Sequence, residues 1–324
     1  MASLFDLRFV FVVGKGGVGK TTAAAALALA AQKRGKRVLL ALCNSKERLS
    51  HLLEVQPIGS TNIEVLRSPS GGVLDAVNMV PKVALEEYGL MILRSRTLYK
   101  AVFENSMVSA VLRGTPGIEA WSMLGKAYFH TKDELEDGRR RYDMVIVDAP
   151  ATGHGLEMLR VPKVITDVAP PGLLRREAED AVALFRDPKR AGCMVVTLAE
   201  DMPVQETIEL AGTLDRELQL PIAQLVVNQV LPRLFPPNDR DAVLALAAAV
   251  EGAAEGTSSI RGLALAGRTR AMRERVQEES LARLHAELGA LPRTNFPMLF
   301  APEFRRAQVE SLAATLEASN PGTR

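Results

Sequence analysis

A doubly wound α/β fold with a mostly parallel sheet is predicted by three features of this sequence. Short, continuously apolar runs rich in β-branched residues recur along the chain, and helical stretches alternate with them. A glycine-rich turn joins the first run to an alanine-rich stretch, the strand–turn–helix order such folds use at their ligand sites. The runs fall at 9–13, 38–43, 144–147, 193–198 and 223–227, with weaker candidates at 63–66 and 297–300.

Taken in order, 9–13 (FVFVV) is apolar at every position, as befits a parallel strand covered on both faces. The following stretch, 20–34, reads KTTAAAALALAAQKR. Its small side chains allow a helix to lie close against a sheet, and its first polar residue after the opening turn is Gln32. Residues 72–140 read as a helical insertion broken at Pro81 and again at Pro116 and Gly117. A second helical insertion, rich in Ala, Arg and Glu, spans 238–289. Further helices are expected at 203–218 and 303–318, and loops at 57–59, 69–72, 170–172 and 236–238. Without a long linker or an internal repeat, residues 1–324 are expected to form a single domain carrying the two insertions.

The composition suits a soluble globular chain: 47% of the 324 residues are hydrophobic and 24% charged. Forty basic against thirty-eight acidic side chains leave a formal net charge of +2, too balanced to predict a duplex-DNA binder. The basic triplet Arg139, Arg140 and Arg141 reads as a solvated loop ahead of a strand. The N-terminus, MASLFDLRFVFVVGKGG, lacks a basic region before an apolar core and runs straight into glycines, so no signal peptide is expected. The most apolar window, 21–31, is about half of the roughly 20 residues needed to cross a bilayer. Cys43 and Cys193, in or beside strand-like runs, read as buried small hydrophobes in a reducing, cytoplasmic setting.

The chemistry concentrates in GKGGVGKTT, made of Gly14, Lys15, Gly16, Gly17, Val18, Gly19, Lys20, Thr21 and Thr22. Glycines here let successive backbone N–H groups turn toward phosphate oxygens, and the helix that starts at Lys20 adds its positive end. This is a P-loop, with Lys20 for the β- and γ-phosphates of ATP, Thr21 for Mg²⁺ and Thr22 for the α-phosphate. Lys15 is unusual, because no cation is needed there to hold the turn. Farther on, YDMVIVDAPATGHGLEML ends a buried strand in Asp148, where a carboxylate can hold a magnesium-bound water.

With its early lysine, KGGVGKT resembles the deviant Walker A motif of the ATPases that include ArsA, MinD, ParA and the nitrogenase iron protein. The resemblance implies that Lys15 reaches across a nucleotide-sandwich dimer to the partner's phosphates; the plainer alternative is a solvated lysine at the loop rim. The segment DAPATGH resembles the switch II loop of the ArsA-like subgroup, and there His154 reads better as loop-positioning than as a general base. TLAEDMPVQETIEL and QLVVNQVLP also resemble that subgroup. Asn228 stands where the family reads adenine, and Pro302 in LFAPEF where it packs the base.

Departures from the family are as informative. The stretch after the second strand usually reads like STDPAHNLSD in ArsA-like proteins, whose aspartate orients the attacking water. Here VLLALCNSKERLSHLL places Asn44 at that position, and an amide cannot take a proton as a carboxylate can. Asn44 is therefore expected either to position water weakly or to serve only as a strand-end cap while a neighbour does the work. The two distant cysteines give no arsenite cluster, no CxxC pair is present, and no cysteine follows switch II for an iron–sulfur cluster. The segment between Asp148 and the next strand is too short for the Met-rich insertion of tail-anchored-protein targeting ATPases. A small client groove could come from Met91, Phe103, Met107, Trp121, Met123 and Phe129, although core packing explains such spacing as well. Three functions remain: an ATP-hydrolysing dimeric switch, as a homodimer or with an ArsA-like paralogue; a regulatory subunit of such a heterodimer; and a delivery factor for a hydrophobic protein client.

Overall fold

The computed structural model describes residues 3–93, 95–97, 117–150, 152–169, 171–251 and 258–321. Its strands are β1 Phe9–Val13, β2 Arg37–Cys43, β3 Ile63–Arg67, β4 Val73–Met79, β5 Met144–Asp148, β6 Ala191–Leu198, β7 Ile222–Val230 and β8 Arg293–Pro297. They join one eight-stranded sheet in the order β3-β4-β2-β5-β1-β6-β7-β8. Every neighbouring pair is parallel except β3 and β4 at one edge. The predicted doubly wound, mostly parallel α/β fold is what forms.

Among the described residues the helices are α1 Lys20–Lys33, α2 Leu49–Leu53, α3 Pro81–Leu93, α4 Ile118–Phe129, α5 Thr152–Val168, α6 Leu173–Phe185, α7 Asp201–Gly212, α8 Pro237–Glu251, α9 Ser258–Leu288 and α10 Arg306–Ser319. Alternation along each strand divides the core. Phe9, Phe11 and Val13 face a layer containing Trp121, Tyr128, Met158 and Phe185 from α4, α5 and α6. Val10 and Val12 face α1 and α10, through Ala23 to Ala31 and Val309, Leu312 and Leu316. The alanines of α1 have essentially no exposed surface, so the helix lies flush behind the loop that precedes it. Enlarging one of them would overpack this seam, at about 1–3 kcal/mol.

Three segments differ from the sequence reading. β4 occupies residues expected to be helical, because Asp75 and Asn78 interrupt its apolar run VLDAVNM. Both have structural partners: Asp75 Oδ2 accepts the Tyr142 hydroxyl at 2.7 Å, and Asn78 Nδ2 donates to Ser45 O at 3.0 Å. β8 lies earlier than the expected 297–300, and its alternating pattern buries Thr294 and Phe296 at the sheet edge. The helix expected over 203–218 is α7 followed by a π-helical turn at Thr213–Leu218. In the first insertion, Trp121 and Met123 are buried in the core while Met91 and Phe129 are half-buried; Phe103 and Met107 lie outside the described residues.

Candidate nucleotide site

β1 stops at Val13 and α1 begins at Lys20, so the glycine loop sits at the carboxyl end of a central strand. That end, where the chain order reverses across the sheet, is where open α/β sheets bind ligands. Two glycines are required by contact as well as by conformation. A Cβ on Gly14 would lie 2.2 Å from Val196 O, and one on Gly19, at φ +95°, would lie 2.2 Å from Asn228 Nδ2. Lys20 Nζ folds back to donate to Gly14 O and Lys15 O, each at 3.1 Å. Burial lowers the pKa of this ammonium, and the charge of Asp148 opposes the shift.

Asp148 is the last residue of β5, in register with Val12 on β1 and Leu42 on β2. That register sets its carboxylate beside the start of α1. Thr21 Oγ1 donates to Asp148 Oδ2 at 2.6 Å, while Oδ1 is buried with no hydrogen-bond partner. Burial pushes the carboxyl pKa up from 3.8 to about 6, against the Thr21 hydrogen bond and the Lys20 charge. A hydroxyl and a carboxylate with one orphaned oxygen fit a hydrated Mg²⁺ completed by phosphate oxygens. No cluster of three His, Cys, Asp or Glu side chains among the described residues could hold a metal alone. Such an ion would therefore depend on water and phosphate for most of its ligands.

In front of the loop lies a cleft of about 790 Å³. Gly17, Gly19, Lys20, Thr21 and Thr22 form one wall, and Asp148 with Ala149 and Pro150 another. The third wall, residues 45–48 after β2, was not singled out from the sequence. Its signal was the run of charges in SKER, which brings Lys46, Glu47 and Arg48 to the cleft, with His51 beyond them.

The other expected site residues lie around this cleft. Lys15 Nζ is 2.6 Å from Glu206 Oε1 on α7, a pairing across distant sequence that no local pattern announces. Val18 is buried, and its carbonyl accepts Asn228 Nδ2 at 2.9 Å. Asn228, buried near the end of β7, thus braces the back of the loop and does not line the cleft. Asn44 is exposed just past β2, with φ +45°, and its backbone N–H donates to Met79 O at 2.9 Å. Pro302 is exposed between β8 and α10. His154, in the first turn of α5, lies on the surface with its Nδ1 3.3 Å from Glu157 Oε2.

Comparison with known proteins agrees with this geometry. The sequence profile of the anion-transporting ATPase family matches residues 7–169. The chain is 32% identical over 265 residues to the Mycobacterium tuberculosis protein named ATPase BagA, covering 82% of this chain and 75% of that one. It is 30% identical over 251 residues to the arsenical pump-driving ATPase of Escherichia coli, covering 71% of this chain and 41% of that protein. It is also 31% identical over 159 residues to ATPase ASNA1 homolog 1 of Paramecium tetraurelia, covering 49% of this chain and 45% of that one. With the phosphate loop, the Thr21–Asp148 pair and these similarities together, the chain belongs to the ArsA-type anion-transporting ATPase family.

Proposed function

We propose that this chain is a magnesium-dependent ATP-binding switch of the cytoplasm that closes as a dimer, with a second copy or with an ArsA-like paralogue, and hydrolyses ATP. The observation that carries the reading is Asp148, whose Oδ2 accepts the Thr21 hydroxyl at the start of the phosphate-loop helix while its buried Oδ1 has no partner. In this reading Lys20 neutralises the β- and γ-phosphates and the loop amides fix their oxygens. Thr21 and Asp148 would hold Mg²⁺, which spreads the charge that develops on the transferring phosphoryl group. Lys15 would supply a further cation to the partner's nucleotide. Asn228 and Pro302 lie outside the cleft lining, so an adenine read by the amide valences that Val18 leaves on Asn228, and packed by Pro302, would have to extend beyond that cleft. No described helix is long and apolar enough to cross a membrane.

A second reading, a regulatory subunit that completes the site of a more active paralogue, is favoured by Asn44 alone. The amide there weakens any role in activating water. Removal of the main phosphate cation tests the first reading. Lys20→Ala is expected to weaken ATP binding at least tenfold, about 1.4 kcal/mol, by calorimetry in the presence of Mg²⁺. Equal affinity in the variant and the wild type would overturn the assignment of the loop.

A further inference from the structure

We infer that Glu47 orients the attacking water in this chain, supplying the carboxylate that Asn44 lacks. The inference rests on the ATP-hydrolysing reading above. Among the described residues, the carboxylates lining the cleft are those of Glu47 and Asp148. Asp148 is committed elsewhere: it is buried, bonded to Thr21 and placed to hold the metal. Asn44 is neutral, exposed and outside the cleft lining. Its left-handed backbone turns the chain off the end of β2, and the next carbonyl, Ser45 O, accepts Asn78 Nδ2. That turn carries residues 45–48 over the mouth of the cleft.

Glu47 is half-buried there and its orientation is fixed. Its Oε1 accepts the Ser50 backbone N–H at 2.7 Å and its Oε2 accepts the Ser50 hydroxyl at 2.6 Å. Each carboxylate oxygen keeps a second acceptor position, so the clamp from α2 orients the group without using it up. A water accepted by Glu47 adds through its oxygen to the γ-phosphorus as the bond from that phosphorus to the β–γ bridging oxygen breaks. The electron pair of that bond leaves with ADP. One water proton stays on the released phosphate, and the other, hydrogen-bonded to Glu47 during attack, passes to solvent. Lys46 and Arg48, on either side in the same wall, place positive charge near the phosphates.

Glu47→Gln tests the assignment with little disturbance, since the amide oxygen can still accept the Ser50 N–H and the amide nitrogen can donate to the Ser50 hydroxyl. Three quantities are measured on the assembly that turns over ATP: single-turnover hydrolysis, affinity for a non-hydrolysable ATP analogue, and affinity for ADP with aluminium fluoride, which mimics the transferring group. Turnover is expected to fall on the order of 10²-fold or more. Affinity for the aluminium fluoride complex should fall in parallel, with the analogue bound as before. Unchanged turnover and unchanged aluminium fluoride affinity overturn the inference. So does a gain from Asn44→Asp in a protein indifferent to Glu47→Gln, because it places the water at Asn44. Wild-type protein that binds ATP but never hydrolyses it, alone or with a paralogue, overturns the role of Glu47 and leaves the binding switch standing. Failure to bind any nucleotide overturns both.

Discussion

At the end of β5, Asp148 keeps one oxygen on the Thr21 hydroxyl and the other buried without a partner. Such a group costs stability whenever it is ionised and no cation is present. The sign follows from its raised pKa. Between 3.8 and about 6 the folded chain holds a proton that the unfolded chain has released, so stability falls as pH rises through that window. Above it the penalty is constant. At about 1.4 kcal/mol per pKa unit it amounts to about 3 kcal/mol. Asp148→Asn should therefore raise the melting temperature of the nucleotide-free protein at pH 7.5, with little gain near pH 4. The same variant should lose the magnesium dependence of ATP binding. Thermal melts at the two pH values and calorimetry with and without Mg²⁺ check both halves, and a variant less stable at pH 7.5 would contradict the account.

Between elements, α9 is tied to the segment after β7 by several side chains, Gln277 to Leu231, Glu278 to Arg233 and, most deeply buried, Glu274. Glu274 is buried and accepts the Leu234 N–H at 2.8 Å, the Phe235 N–H at 3.2 Å and Arg270 Nε at 2.6 Å. Burial alone would raise its pKa, but Arg270 and the two amides together hold it below the ordinary value of 4.5. Its stabilisation is therefore present above that value and lost as pH falls through the lower folded one. Glu274→Ala leaves the Leu234 and Phe235 amides without an acceptor and Arg270 with only the Pro232 carbonyl, and should cost about 3 kcal/mol in denaturant unfolding at pH 7. The difference should shrink in acid. A variant unfolding at the wild-type denaturant concentration would show the tie to be idle. This tie was invisible in the sequence, because helical periodicity says nothing about a contact to a loop some forty residues earlier. The same limit hid Glu206 from Lys15. β1 was legible because it is apolar throughout, and α1 because only Ala and Leu lie between Thr22 and Gln32. β4 was hidden by Asp75 and Asn78, polar residues whose partners come from other segments. Asp148 was legible from its place after an apolar run, whereas Glu47 became legible only once the turn at Asn44 had carried it to the cleft.

For the whole molecule, the proposed dimer makes the placement of Lys15 decisive. Its ammonium is engaged by Glu206 in its own chain, both side chains about one-third exposed, at 35% and 34%. A lysine that serves a partner's nucleotide must first leave this acid, so closure exchanges one ionic contact for another. Surface pairs of this kind contribute about 0.2–1 kcal/mol. Glu206→Gln should accordingly strengthen ATP-dependent association by up to about fivefold, by light scattering with a γ-phosphate analogue. Lys15→Ala should leave ATP binding by single chains intact and abolish closure. A wild-type chain that stays monomeric with ATP, Mg²⁺ and an ArsA-like paralogue would count against the sandwich.

The strand order carries a consequence for timing. β1 is flanked by β5 and β6, neither of which follows it directly in the chain. During synthesis the phosphate-gripping motif emerges early, yet the cleft wall that carries Asp148 arrives only with β5, and the strand that backs Gly14 only with β6. Long loops must close before those strands can dock, which makes this a late event in folding. A nascent or clipped chain ending before β5 would carry the complete glycine motif but lack the Asp148 wall of the pocket. Capture of the nucleotide thus certifies that the central sheet has been assembled, and a ligand that binds only the finished form also protects it from unfolding.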